Sequence, residues 1–180
     1  MRYTSSLIVD QNLSLRTLEF TDITNSYEDW INDFEVIRFT EMRFKPKQTK
    51  DDIKSFITDC NSSLDTYLFG IFFENFHIGN IKIGPIDFNH NKTFISYIIG
   101  NKDFWGKGVA TKVIAAIVKF SFSELKLLKI YAGLYENNIG SEKALLNNKF
   151  VKEAFFSNDI NFEGSRVNSL VYGLSKNPDA

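Results

Sequence analysis

The strongest periodic pattern in the chain is an apolar stripe that runs from Val109 to Leu125. Apolar and small residues recur there every three or four positions, as on one face of an α-helix: Ala110, Val113, Ile114, Ile117, Val118 and Ser121. A β-rich run at 93–99 and the glycine-containing residues 100–108 precede the stripe, and an alternating run at 128–134 follows it. This order predicts a β-α-β unit, so the chain must build a sheet that a helix covers.

The other elements follow from alternation, helix caps and turn residues. Further strands are predicted at 13–18, 67–74, 78–83, 151–156 and 167–174, and further helices at 23–34, 50–61 and 139–148. The element order is β-α-α-β-β-β-α-β-α-β-β. Three neighbouring strands and then two β-α units predict an α+β (mixed α/β) protein, whose mixed sheet of six to seven strands is flanked by about four helices.

The length and the charge balance limit the kinds of protein that the chain can be. Its 180 residues suit a single domain over 1–180. The 21 basic and 22 acidic side chains nearly cancel, which argues against nucleic-acid or membrane partners. Met1–Asp10 lacks an apolar signal core, and no apolar run has the length that crosses a bilayer. We expect a cytoplasmic monomer or homodimer.

The segment Trp105–Thr111 joins a predicted strand to the best predicted helix. A helix N-terminus presents unpaired N–H groups, Gly106 and Gly108 allow a close approach of the backbone, and Lys107 adds a cation, so the segment suits a phosphate. It resembles a dinucleotide-binding fingerprint without the third glycine, and a P-loop without the Ser or Thr after lysine. A structural loop with flexible glycines is the remaining interpretation.

Three separated segments, Tyr97–Thr111, Asn138–Ser141 with Phe150, and Trp30–Phe39, together resemble motifs of one superfamily. It is the GNAT N-acetyltransferase superfamily, in particular the branch of the ribosomal-protein N-terminal (alanine/serine) acetyltransferases. Tyr97–Thr111 is similar to motif A of the superfamily and contains the W-G-K-G-x-A-T of that branch. Asn138–Ser141 with Phe150 resembles N-x-x-S…G-F, although Lys149 replaces the usual glycine, and Trp30–Phe39 resembles W-x-N-D-x-E-V-x-R-[FY]. The resemblance implies a GNAT fold and acetyl transfer from acetyl-CoA to a primary amine.

The resemblance also assigns a site for acetyl-CoA. Two strands would splay apart, the pantetheine arm would bond backbone groups of Ile98 and Gly100, and the N–H of Ile99 would polarise the thioester carbonyl. Asn138 and Ser141 would contact the pantetheine arm. The pyrophosphate would rest on the loop and the start of the helix, at Trp105, Gly106, Lys107, Gly108, Val109, Ala110 and Thr111.

The acid–base groups depart from the pattern of the superfamily. Leu145 stands where many members carry a tyrosine acid, which leaves Ser141 as the catalytic candidate, although a serine at a helix start also caps. Phe94 stands where relatives often carry a glutamate base. The amine would then lose its proton through water to one of three residues: Glu35, Asp87 or Tyr97.

The predicted acceptor wall includes Trp30, Glu35, Arg38, Arg43 and Tyr97. Arginines bind carboxylates and phosphates bidentately, so the interpretation is a small-molecule amine with an anionic part, such as a nucleotide-linked amino sugar. A protein or peptide N-terminus is one alternative. A non-catalytic acyl-CoA-binding module is another, because both usual acid–base positions are replaced.

The histidines and the cysteine do not have the spacing of metal ligands. We expect His77 and His90 to lie at turns on the solvated surface, and Cys60 to lie on a surface helix without a disulfide partner. We therefore predict no metal site.

Overall fold

In the computed structural model, which describes residues 6–176, one eight-stranded sheet and five α-helices form the fold. The strands are β1 (Leu7–Ile8), β2 (Leu13–Thr17), β3 (Tyr67–Phe73), β4 (Phe76–Asp87), β5 (Lys92–Ile99), β6 (Lys129–Tyr135), β7 (Val151–Phe162) and β8 (Ser165–Ser175). The helices are α1 (Asn25–Ile31), α2 (Phe34–Ile37), α3 (Lys50–Ser62), α4 (Val109–Ser123) and α5 (Ile139–Asn147). Short 3-10 helices occupy Phe20–Asp22, Glu41–Phe44 and Lys102–Phe104.

The strand order in the sheet is β1-β2-β3-β4-β5-β6-β8-β7. Within the described residues, β5 and β6 are the parallel neighbours and the other neighbouring pairs are antiparallel. The β-α-β unit predicted around α4 forms this parallel pair. The α+β class is therefore confirmed.

Two local differences from the predicted order have simple causes. The eighth strand is β1, whose two residues are too few for a readable alternation. The single helix predicted at 23–34 is two helices, because the Asp33 side chain accepts from the Glu35 N–H and starts α2 separately. Thr24 caps α1 by accepting from the Tyr27 N–H.

Each face of the sheet carries an apolar cluster. α4 buries Val113, Ile114 and Ile117 against the central strands, and each such side chain stabilises the fold by roughly 1.5–3 kcal/mol. The second cluster packs α1, α2 and α3 against the other face through Tyr27, Trp30, Val36, Ile53, Ile57, Leu68 and Phe72. The two layers leave the carboxyl ends of β5 and β6 between them.

Two residues expected at the surface pack inside the protein instead, Cys60 fully buried and His77 partly buried. Cys60 is 8 % exposed in the second cluster, and burial raises the pKa of its thiol. His77 packs against the rings of Tyr27, Trp30 and Phe72. The turn beside His77 was predicted from local residues, whereas its aromatic cover comes from α1 and from the preceding strand. His90 lies at an exposed turn, as predicted.

Candidate active site

A gap opens between the two parallel strands. β5 and β6 pair at three positions near their amino ends: Lys92 with Lys129, Thr93 with Ile130, and Phe94 with Tyr131. Beyond Phe94, β5 continues to Ile99 against β4 alone, and β6 continues to Tyr135 against β8 alone. Their facing edges therefore carry backbone groups that no strand of residues 6–176 pairs, which confirms the predicted splay.

The register decides which backbone groups of β5 face the gap. The Gly100 N–H donates to a β4 carbonyl oxygen at 2.8 Å, and the Ile98 carbonyl oxygen faces Gly79, where an added Cβ would lie 2.3 Å from it. Backbone groups alternate in direction along a strand, so Tyr97 and Ile99 turn theirs toward β6. This corrects the prediction that Ile98 and Gly100 offer their backbone groups to a pantetheine arm; the predicted position of Ile99 agrees with the register.

The loop before α4 has the backbone geometry of an anion site. Gly106 and Gly108 have φ of 70° and 75°, a region that favours glycine, and an added Cβ at either position would meet nothing within 4 Å. The first helical bond runs from the Lys112 N–H to the Gly108 carbonyl. The N–H groups of the first turn, which include those of Val109, Ala110 and Thr111, therefore lack helical acceptors.

Lys107 and Trp105 flank this helix start in different ways. Lys107 is exposed and forms no ion pair with a carboxylate of the described residues. The Trp105 indole N–H donates to the Ile99 carbonyl oxygen at 2.7 Å, which ties the loop to the end of β5. The Trp105 backbone N–H donates to the Lys102 carbonyl oxygen at 3.0 Å, which corrects the prediction that it holds the pyrophosphate.

Trp30 lies beneath the end of β5 and is 6 % exposed. Its ring stacks on Tyr27 at a centroid distance of 4.5 Å and covers Gly100 so closely that a Cβ there would lie 2.1 Å from Cδ2. This burial corrects the prediction that Trp30 lines the acceptor site. Its contribution is to support the strand end from below.

The start of α5 lies at the other side of the gap. Asn138 caps the helix, with its side chain accepting from the Ser141 N–H at 3.3 Å. The Tyr97 hydroxyl lies 2.5 Å from Ser141 Oγ, and burial raises the pKa of Tyr97 to about 12. The geometry thus joins two predicted site residues that come from different elements.

Neither of the two positions at which relatives often carry the acid and the base holds an ionisable side chain here. Leu145 is 1 % exposed in the main core, whereas Phe94 is 49 % exposed and stacks on Tyr131. Asp87 accepts hydrogen bonds from His90 near the amino end of β5, five residues of strand or roughly 17 Å from Tyr97. Asp87 therefore lies too far from Tyr97 and the gap to act as the base.

The residues from Asp33 to Arg43, which we call the bridging segment, cross the carboxyl ends of β5 and β6. Lys102, just after β5, contacts carboxylate oxygens of Asp33 and Glu35, each at 2.8 Å, and these partners raise the pKa of Lys102. The Tyr135 hydroxyl at the end of β6 donates to Glu41 Oε1 at 2.5 Å. The segment is therefore fixed at both strands that form the gap.

The same segment is fixed to the turn between β7 and β8. Arg38 Nη2 donates to Glu163 Oε1 at 3.0 Å. Arg43 donates to the Arg38 carbonyl oxygen and to the Asn161 carbonyl oxygen, each at 2.7 Å. Both arginines that we predicted to bind an anion thus have partners inside the protein. They no longer support an acceptor with an anionic part.

The sequence did not predict the aromatic cluster that lies beside these arginines. Phe39 stacks on Phe162 at 5.3 Å, and both rings meet the edge of Tyr135. Arg38 and Arg43 each lie over the Phe162 ring. No local pattern could reveal the cluster, because its members come from three distant parts of the chain.

These features fit CoA in chemistry as well as in shape. The helix start offers N–H groups and Lys107, which forms no ion pair within residues 6–176, for a pyrophosphate, and the gap offers unpaired strand edges for the amide groups of a pantetheine arm. Two kinds of feature are absent from the described residues. Among residues 6–176, no helix has the length and apolar character that would span a membrane, and no cluster of His, Cys, Asp or Glu side chains could hold a metal ion.

The fold and the gap are those of an acyl-CoA-dependent acyltransferase, and the family comparison agrees. Residues 12–151 match the family described as "Acetyltransferase (GNAT) domain", so the chain belongs to that family. It is 28 % identical over 185 residues to the "Probable N-acetyltransferase YjcK" of Bacillus subtilis (strain 168), covering 96 % of this chain and 98 % of that protein. The chain is thus an acetyl-CoA-dependent N-acetyltransferase.

Solved structures that share the fold include two acetyltransferases with bound CoA. One is RimL, a ribosomal L7/L12 alpha-N-protein acetyltransferase in complex with coenzyme A, with a TM-score of 0.84, 12 % identity and coverage of 95 % of this chain and 98 % of that one. The other is a spermidine N-acetyltransferase from Vibrio cholerae in complex with CoA and spermine, with a TM-score of 0.80, 20 % identity and coverage of 92 % and 96 %. Their names include a protein substrate and a small-molecule substrate.

Proposed function

We propose that this chain acetylates the primary amine of a small molecule, in a complex that holds acetyl-CoA and the amine together. The observation that carries the proposal is the bridging segment, which is fixed to Lys102, Tyr135 and Glu163 around the carboxyl end of the gap. An acceptor must reach the gap past this segment, which favours a slender amine over a bulky folded surface.

The charge near the bridging segment favours an acceptor that arrives as an ammonium ion. Four carboxylates on or beside the segment (Asp33, Glu35, Glu41 and Glu163) lie among three cations (Arg38, Arg43 and Lys102), which leaves one net negative charge. The two arginines of the same region already hold a carboxylate and two carbonyl oxygens. A nucleotide-linked amino sugar therefore becomes the less favoured small molecule, and a polyamine-like or amino-sugar amine the more favoured one.

The site residues would divide the chemistry as follows. Acetyl-CoA, when bound, supplies a thioester whose carbonyl carbon forms a bond to the uncharged amine while its bond to sulfur breaks. The Ile99 N–H faces the gap and would donate to the carbonyl oxygen as it gains charge. The N–H groups from Gly106 to Thr111, with Lys107, would hold the pyrophosphate, and Asn138 would position the pantetheine arm.

The proton of the acceptor ammonium has no carboxylate at the usual position, where Phe94 stands. It would leave to water, with Glu35 as the remaining carboxylate among the predicted bases, although the ion pair of Glu35 with Lys102 competes for it. Removal of this proton before attack makes the rate depend on the free-amine fraction of the acceptor.

A turnover screen tests the proposal. Release of CoA thiol from acetyl-CoA is measured with spermidine, glucosamine, a nucleotide-linked amino sugar, an aminoglycoside and an alanine-initiated hexapeptide as acceptors. The proposal expects turnover with a small amine and weaker or no turnover with the hexapeptide. Exclusive turnover with the hexapeptide would instead assign the chain to peptide N-terminal acetylation. CoA binding without turnover on any acceptor would contradict both. The cytoplasmic location and the oligomeric state stay predictions.

A further inference from the structure

The hydrogen bond between Tyr97 and Ser141 crosses the gap from β5 to the first turn of α5. The Tyr97 hydroxyl lies 2.5 Å from Ser141 Oγ and 3.4 Å from the Ser141 carbonyl oxygen. The two residues are 44 positions apart in the chain. Within residues 6–176, Ser141 Oγ forms no second hydrogen bond, so its remaining capacity is available to a group in the gap.

The direction of this hydrogen bond follows from the chemistry of the two hydroxyls. A phenol is far more acidic than an alcohol and is the better donor of the two. Burial raises the pKa of Tyr97 to about 12, so the phenol stays protonated near neutral pH. When Tyr97 donates to Ser141 Oγ, the single serine hydrogen must point away from the ring.

We infer that Tyr97 is a positioning residue, which aims the hydroxyl hydrogen of Ser141 at the sulfur of acetyl-CoA. This inference rests on the proposed function. When the carbon–sulfur bond breaks, its electron pair stays on sulfur, and the Ser141 O–H donates a hydrogen bond to that thiolate. Both hydroxyls keep their protons. The attacking nitrogen loses its second proton to water, and the thiolate takes a proton from water after it leaves.

The relative acidities favour donation of a hydrogen bond over transfer of the proton. A free thiol has a pKa of about 8.5, well below that of the buried phenol. Transfer of the tyrosine proton to sulfur would therefore be uphill, whereas a hydrogen bond to a charged sulfur remains favourable. Leu145 has no acidic proton and is 1 % exposed in the core, so it cannot replace the tyrosine acid of the relatives. The Tyr97–Ser141 pair takes the place of that acid.

The first test needs no acceptor. CoA isotopically labelled at the carbon that bears sulfur is bound to the protein, and NMR follows the ionisation of its thiol against pH. The thiol pKa of CoA bound to the wild type should lie about one unit below that of free CoA, as expected for one hydrogen bond to a charged group. Tyr97→Phe and Ser141→Ala should each move it back toward the free value. Tyr67→Phe, on β3 and remote from the gap, is the matched control.

The outcomes separate this inference from the proposed function. Failure of the wild type to bind CoA would contradict the proposed function itself. Bound CoA whose thiol pKa is the same in Tyr97→Phe as in the wild type would overturn the inference alone. Tyr97→Phe keeps the ring that packs against the core, and Ser141→Ala reports on the same hydrogen bond from the other side, so the test does not depend on one variant folding.

A double-mutant cycle on turnover is the second test. With the acceptor that the screen identifies, Tyr97→Phe should lower kcat by about tenfold and Ser141→Ala by roughly 10- to 100-fold. Because Tyr97 acts through Ser141, the double variant should be no slower than Ser141→Ala. Equal losses from Tyr97→Phe in both backgrounds would show a merely structural effect and overturn the inference.

Discussion

A Cβ on Gly100 would lie 2.1 Å from Cδ2 of Trp30. The Trp30 ring of α1 can therefore pack against the end of β5 only because residue 100 is a glycine. Gly100→Ala should therefore push the ring or the strand aside and lower the free energy of unfolding by about 1–3 kcal/mol. Denaturant unfolding measures this loss. Gly140→Ala is the control, because an added Cβ there meets nothing within 4 Å. Equal stability of the two variants would contradict the close contact.

The second prediction concerns the left-handed backbone before α4. Gly108 has φ of 75°, and Gly164, in the turn between β7 and β8, has φ of 83° with the same open surroundings. Alanine at either position should lower stability by about 1–2 kcal/mol through backbone strain. Only Gly108→Ala should also weaken CoA binding, by about tenfold, because the strain displaces the N–H groups of the helix start. Calorimetric titration with CoA measures this, and equal CoA affinity in both variants would count against the anion site.

The third prediction separates a structural from a ligand-binding function for Arg38. Arg38→Glu and Glu163→Arg should each loosen the bridging segment and speed amide hydrogen exchange in residues 38–43. The double swap should restore much of the protection, although stability should change by no more than about 1 kcal/mol, since the pair is exposed. If acceptor KM stays raised in the double swap while exchange is restored, Arg38 binds the acceptor directly.

The fourth prediction uses His77, which is partly buried. Burial lowers the pKa of His77 in the fold, and its Nε2 lies 2.9 Å from the Gly79 carbonyl oxygen and 2.8 Å from Asn80 Oδ1. Below about pH 6.5 the unfolded chain takes up a proton that the folded chain resists, so stability present above that pH is lost as the pH falls through the folded pKa. Asp22 faces the same histidine, and its own lowered pKa acts at more acidic pH.

Unfolding measured at pH values across this window tests the assignment. The wild type should lose stability on acidification through the window, and His77→Gln should flatten that slope. The control is His90→Gln, at a side chain that is 69 % exposed. An unchanged slope in His77→Gln would place the titration elsewhere.

Patterns confined to one element predicted the architecture well. The stripe of α4 and the alternation of its flanking strands need only neighbours three, four or two positions away, so they are readable in the sequence. Lys149 was noted where relatives carry glycine, and it has φ of 64° after α5, which explains why glycine is the usual residue there.

Contacts between distant elements set the features that the sequence did not reveal. Arg38 contacts Glu163 across 125 positions, and His77 is partly covered by rings from α1 that no turn pattern predicts. The direction of backbone groups at Ile98 and Ile99 depends on the register of β5 against β4, and a shift of one residue would exchange them. The motif therefore located the gap, whereas the register decides which atoms face it.

A crystal structure with bound CoA tests the central claim most directly. The account predicts that the pyrophosphate contacts the N–H groups between Gly106 and Thr111, that the pantetheine arm lies between β5 and β6, and that its sulfur lies within hydrogen-bond reach of Ser141 Oγ. CoA bound at another place, or β5 and β6 paired along their full length with the cofactor outside, would contradict it.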